Sequence, residues 1–102
     1  MSILLTHTLL LLHSNIMIEK ISVPISVDLV FDSKKRSVFP RFVKWEGRVY
    51  DILEVGFHHS YRQGRTLYHV FSVASKTLFF RLVLNTDTLY WKLEEISDNL
   101  PG

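Results

Sequence analysis

Three histidines, His58, His59 and His69, are the first residues that could do chemistry. Imidazole binds metals and moves protons near neutral pH. Spacing argues against both uses here. Adjacent residues of a strand point to opposite faces, so His58 faces away from His59 and the three cannot converge. His59 and His69 are expected to share the inner face of one hairpin, sitting diagonally near Trp91. Two imidazoles without a third protein ligand make a poor zinc site. The sequence therefore predicts no metal, and at most a small-ligand pocket between His59, His69 and Trp91. Catalysis has no better candidate. No nucleophile elbow, phosphate loop or H-E-x-x-H helix is present. The one carboxylate pair, Glu94-Glu95, is adjacent on an expected strand and so splits across its two faces. The chain reads as a non-enzyme without a cofactor.

Binding has more support. Between residues 33 and 65 lie Lys34, Lys35, Arg36, Arg41, Lys44, Arg48, Arg62 and Arg65, opposed only by Glu46, Asp51 and Glu54. Phe39, Phe42, Trp45, Tyr50, Tyr61 and Tyr68 are interleaved with them. Small β-barrels bind single-stranded nucleic acid with basic grooves and stacking aromatics, so these eight cations are the candidate contacts to an anionic partner. Against this stand a net charge of only +2 and the lack of an RNP-type segment. The alternative is protein–protein contact or homo-oligomerisation through an edge strand, aided by Phe42, Tyr68, Val83 and Tyr90 on the face opposite the main apolar row.

The elements that must position these residues are strands. Ile21, Val23, Ile25, Val27, Leu29 and Phe31 alternate with mostly polar neighbours, which predicts one long half-buried strand. Pro24 cannot donate a ladder hydrogen bond and places that strand at an edge. A second strand, 38–46, is expected to turn at Glu46-Gly47 and pair Trp45 with Arg48 and Val43 with Tyr50. In the third strand the apolar residues switch from even to odd positions, predicting a β-bulge near Ile52-Leu53. A three-residue loop, Arg62-Gln63-Gly64, sets His59 opposite Leu67 and Phe57 opposite His69. A turn at Ser75-Lys76 sets Phe71 against Phe80, and one across residues 85–88 sets Leu82 against Trp91. The fold class is all-β: a six-stranded antiparallel meander forming a curled sheet or small barrel.

Composition bounds the rest. The chain has 102 residues, 47% hydrophobic and 13% aromatic, enough for one small domain with a core. There is no cysteine, which excludes disulfide scaffolds, zinc ribbons and thiol catalysis and fits a reducing cytoplasm. Residues 1–16 form an apolar leader distinct from the β domain of 17–102. His7 and His13 interrupt it, and no Lys or Arg precedes Lys20, so it is neither a full membrane span nor an ordinary secretory signal. An upstream start with Met17 as the natural beginning, an apolar arm packed on the domain, and an atypical signal or anchor are the three readings. No membrane association is expected of the domain.

The string Phe42-Val43-Lys44-Trp45-Glu46-Gly47-Arg48-Val49-Tyr50 resembles the W-x-G-R-x-Y segment of a family of small bacterial β domains without an assigned activity. The segments Gly64-Arg65-Thr66-Leu67-Tyr68-His69-Val70-Phe71, Leu82-Val83-Leu84-Asn85-Thr86-Asp87 and Trp91-Lys92-Leu93-Glu94 are similar to the same family. The likeness spans residues 25–97 and consists of turn and core residues, so it implies a fold and not an activity. Some such domains are encoded near DNA-repair polymerases, which turns the resemblance toward nucleic acid. Lys34-Lys35-Arg36 and His58-His59 depart from the pattern. The sequence thus predicts a cytoplasmic bacterial binding module whose partner is single-stranded nucleic acid or a protein complex, with its oligomeric state open.

Overall fold

A computed structural model describes residues 18–98. The expected leader, 1–16, lies outside the described residues. Eight strands follow one another: β1 (Ile18–Pro24), β2 (Ser26–Asp32), β3 (Ser37–Trp45), β4 (Arg48–Asp51), β5 (Glu54–Gln63), β6 (Thr66–Ala74), β7 (Leu78–Asn85) and β8 (Trp91–Asp98). All pairing is antiparallel, and the described residues contain no helix. The all-β reading holds, but the six-stranded meander does not. The strands form a five-stranded sheet, ordered β1-β8-β7-β6-β5, and a three-stranded sheet, β2-β3-β4. They do not merge into a closed barrel.

Two expected strands are each broken where the chain changes sheet. The long first strand divides at Ile25, whose amide still donates to Trp91 O on β8 (3.3 Å) while Ser26 already pairs with Lys44 on β3. The third strand divides between Ile52 and Leu53. The Ile52 amide donates to Arg41 O at 2.9 Å, and the next amide, Leu53, donates to Ala74 O at 2.8 Å. The parity switch read from the sequence therefore marks a change of sheet, not a bulge. The register break in β5 comes later, between Val55 and Phe57.

The sheets are held face to face by the apolar positions of both. Val43, Phe71, Val73, Phe80, Leu82, Leu93 and Ile96 form the buried cluster, with Val27, Val38, Trp45 and Tyr50 of the smaller sheet packed on it. Tyr50 meets Phe80 edge-on at 5.2 Å between centroids, a favoured aromatic geometry. Each large side chain buried this way contributes about 1.5–3 kcal/mol.

Turn chemistry sets the registers. Glu46 and Gly47 have φ of 51° and 81°, the double left-handed signature of a type I′ hairpin, and Trp45 pairs with Arg48 as expected. The β5–β6 loop has two residues, not three. Gln63 pairs with Thr66, and Gly64, at φ 62°, takes the left-handed place that a residue with a Cβ resists. The β6–β7 turn is at Lys76-Thr77, closed by Ser75 N to Leu78 O (2.8 Å) and by the Ser75 hydroxyl. Phe80 consequently pairs with Val73 rather than Phe71, and Leu82 with Leu93 rather than Trp91. These two shifts are by two residues, which keeps side chains on their expected faces as far as the β7–β8 register break between Arg81 and Leu82.

Candidate functional site

Among the described residues four strand edges are open: β1 and β5 in the large sheet, β2 and β4 in the small one. An unpaired edge invites another strand, and proteins normally blunt it with charge, proline, bulges or brevity. β1 carries Pro24 and a register break between Lys20 and Val23. β2 carries Asp28 and Asp32 and a register break between Asp28 and Leu29. β4 has four residues, charged at both ends by Arg48 and Asp51. β5 differs from all three. It has ten residues, and its only charges are Glu54 and Arg62 near its ends. Between them run Val55, Gly56, Phe57, His58, His59, Ser60 and Tyr61, with one irregularity at Gly56. Phe57 is 58% exposed and Leu53, just before the strand, 68%. The signal was present in the sequence as an uncharged stretch between Glu54 and Arg62, but it means an edge only once the strand order is known.

The histidines are arranged with the opposite parity to the one expected. The two-residue loop shifts β5 by three residues against β6 at the histidines, and this odd shift puts His58 rather than His59 on the Phe71 side of the sheet. His58 Nε2 lies 2.8 Å from His69 Nδ1, and its ring stacks on Phe71 at 4.0 Å and 13°. Trp91 adjoins Phe71 at 5.7 Å. His59 pairs across with Val70 on the other face, beside the Phe57 ring at 4.9 Å. His59, His69 and Trp91 thus do not line one pocket. The His58 pKa is lowered, first by burial against the core rim, then by His69 and His59. Among the described residues no three His, Cys, Asp or Glu side chains are grouped to hold a metal ion.

Seven of the eight basic residues are spread over three hairpin ends, and Arg41 lies in the middle of β3. Lys34, Lys35 and Arg36 occupy the β2–β3 loop, where Asp32 Oδ1 accepts from the Lys34 and Lys35 amides at 2.9 and 3.1 Å. Lys44 and Arg48 flank the turn at the other end of β3, about 26 Å away at the usual rise of a strand. Arg41 is paired with Asp28 at 2.7 Å and lies 5.6 Å from the Phe42 ring. Arg62 and Arg65 sit at the tip of the β5–β6 hairpin. There Tyr61 stacks on Tyr68 at 5.1 Å and 15°. The chain does not gather the eight into one groove; Arg62 and Arg65 are the pair with an aromatic stack beside them.

Of the outer aromatic set, Tyr68, Val83 and Tyr90 come together along a groove of about 850 Å³, and Phe42 lies on the other sheet. The groove runs past Pro24 and Trp91, with Lys92 as the one charged residue among the described residues that line it. Asn85 Oδ1 accepts the Asp87 and Thr88 amides, and Leu89 is held at φ 65° beyond them. That turn presents Leu89 and Tyr90 to solvent, Tyr90 at 77% exposure. Among the described residues no helix is long and apolar enough to cross a membrane.

Comparison with protein-family models, curated proteins and solved structures finds no match to this chain. The geometry therefore carries the functional reading.

Proposed function

We propose that this chain is a non-enzymatic interaction module that takes up an extended strand along the free edge of β5. The observation that carries the reading is the contrast among four edges of one molecule. Three are shortened, charged, broken or capped by proline, and the longest is left without a charge from Val55 to Tyr61. Strand addition draws affinity from the backbone ladder and specificity from alternate side chains. Phe57 and Tyr61, with His59 between them on one face, would read those side chains. We place the module in the cytoplasm, where a chain without cysteine loses nothing to reduction.

The test is a panel of ten-residue peptides with alternating apolar residues, titrated against dilute protein by anisotropy, with hydrogen exchange read on the complex. The reading requires saturable binding and slowed exchange of β5 amides. Binding without β5 protection, or none at millimolar peptide, removes it.

A second reading, binding of single-stranded nucleic acid, is favoured by one place: Arg62 and Arg65 beside the Tyr61–Tyr68 stack. Stacking and phosphate contact at such a tip are sequence-tolerant and salt-sensitive. A labelled single-stranded oligonucleotide titrated at two salt concentrations tests it. Binding that weakens steeply with salt and falls in the Arg62→Ala, Arg65→Ala double variant supports it; no binding at low salt ends it.

A further inference from the structure

The strand that β5 takes up, we infer, is the β5 of a second copy of this chain, paired antiparallel about a two-fold axis. This rests on the edge reading above and names its partner. The ends of β5 carry opposite charge. Glu54 opens the strand, and Arg62, followed by Arg65 in the turn, closes it. Antiparallel pairing of two copies lays the acidic end of each along the basic end of the other, twice by symmetry. Parallel pairing would set like charges together, which costs stability.

The middle of the strand is self-complementary as well. With the axis at His58, Phe57 of one copy lies opposite His59 of the other. In the monomer both point to the outer face, away from the small sheet, and their rings are already neighbours. A two-fold axis perpendicular to the sheet keeps the outer faces of both copies on one side, so the Phe57 and His59 rings of the two chains form one aromatic cluster across the seam. His59 Nδ1 is shielded from solvent and has no hydrogen-bond partner among the described residues. The two five-stranded sheets become one continuous sheet, and the exposed Phe57 loses its solvent. No charged residue stands in the way, because none lies between Glu54 and Arg62. A contact built on one strand pair is smaller than a standard interface of about 1,600 Å², which places the expected dissociation constant in the micromolar range.

The experiment is sedimentation velocity on the full chain from about 1 to about 500 µM, a span that brackets micromolar affinity. Backbone hydrogen exchange is measured at both ends of that range. A reversible monomer–dimer equilibrium with β5 amides protected only at high concentration is expected. Phe57→Lys, at an exposed position that leaves the fold intact, is expected to abolish the dimer. Glu54→Arg is expected to weaken it about three- to tenfold, as like charges meet at both ends, and adding Arg62→Glu is expected to restore it. A chain that stays monomeric at 500 µM (roughly the top of that micromolar bracket) overturns the second copy as partner, while peptide capture along β5 would still stand on its own test. A dimer that keeps its β5 amides exchanging fast, or survives Phe57→Lys, overturns the β5 seam.

Discussion

β1 and β5 bound the same five-stranded sheet from opposite sides, and they are treated differently. β1 is paired irregularly with β8, capped by Pro24 and continued at once into the other sheet through Ile25. β5 also begins at a change of sheet, but then runs for ten residues with β6 on one side and no strand of the described residues on the other. Protection of one edge and not the other teaches that the bare edge is not a general looseness of the fold. The chain has the means to blunt an edge and applies them at three of four.

The hardest test of that contrast lies between the two edges. Leu82 is fully buried at the centre of the sheet, and Leu82→Ala is expected to cost about 2–5 kcal/mol in urea unfolding. Phe57→Ala at the bare edge, measured on dilute protein, is expected to stay within about 0.5 kcal/mol of the parent. A large loss from Phe57→Ala would show that the edge is anchored by its own side chains, and the comparison would fail. Next in size is the guard itself. Pro24→Val supplies a ladder donor to the β1 edge and is expected to raise self-association at high concentration, seen as larger species in light scattering. A change in size confined to Phe57 variants would instead mean that Pro24 serves the bend into Ile25 alone.

A smaller effect distinguishes the two faces of β5. The unfolded chain binds the His58 proton near the ordinary value of 6.5 and the folded chain only at lower pH. The neutral form therefore contributes stability that is full above 6.5. It declines as pH falls below 6.5 and is gone once folded His58 is protonated. NMR titration should find His58 below the ordinary value of 6.5, and His69→Gln should raise it only part of the way, because burial is the larger cause. Smallest of all is Gly56→Ala. An added Cβ would meet only Ser72 O, at an ordinary 3.6 Å, and Gly56 does not have positive φ. Stability within about 0.5 kcal/mol of the parent is expected, so the break in β5 is set by register and not by glycine.

Much of the β structure was legible because alternation and turn residues are local. The Glu46-Gly47 hairpin, its register and the edge position of Pro24 follow from residues a few positions apart. The change of sheet at Ile52-Leu53 left its trace as a parity switch, but parity does not say whether a strand bulges or departs. The β6–β7 and β7–β8 registers were misplaced by two residues, to which apolar alternation is blind. The β5–β6 register was displaced by three residues at the histidines, because an apolar face was sought along a straight strand with a three-residue loop, and an odd displacement exchanges the roles of His58 and His59. Pairing of β1 with β8 is a long-range property that no local pattern contains. The eight cations were read as a group from proximity in sequence, which hairpins convert into distance in space. The edge at β5 was invisible for the complementary reason: exposure belongs to the strand order, not to the strand.

That β1–β8 pairing has a consequence during synthesis. Glu19 pairs with Ile96, so the first strand of the described domain has no neighbour in its own sheet until the last one has been made. At roughly 5–20 residues per second, the wait between them is on the order of 4 to 15 seconds. The β5–β6 hairpin is finished well before then. A nascent chain therefore displays its unguarded strand while the sheet behind it still lacks β8 and the β1 that pairs with it, and neighbouring ribosomes on one message would offer it the same strand from another copy.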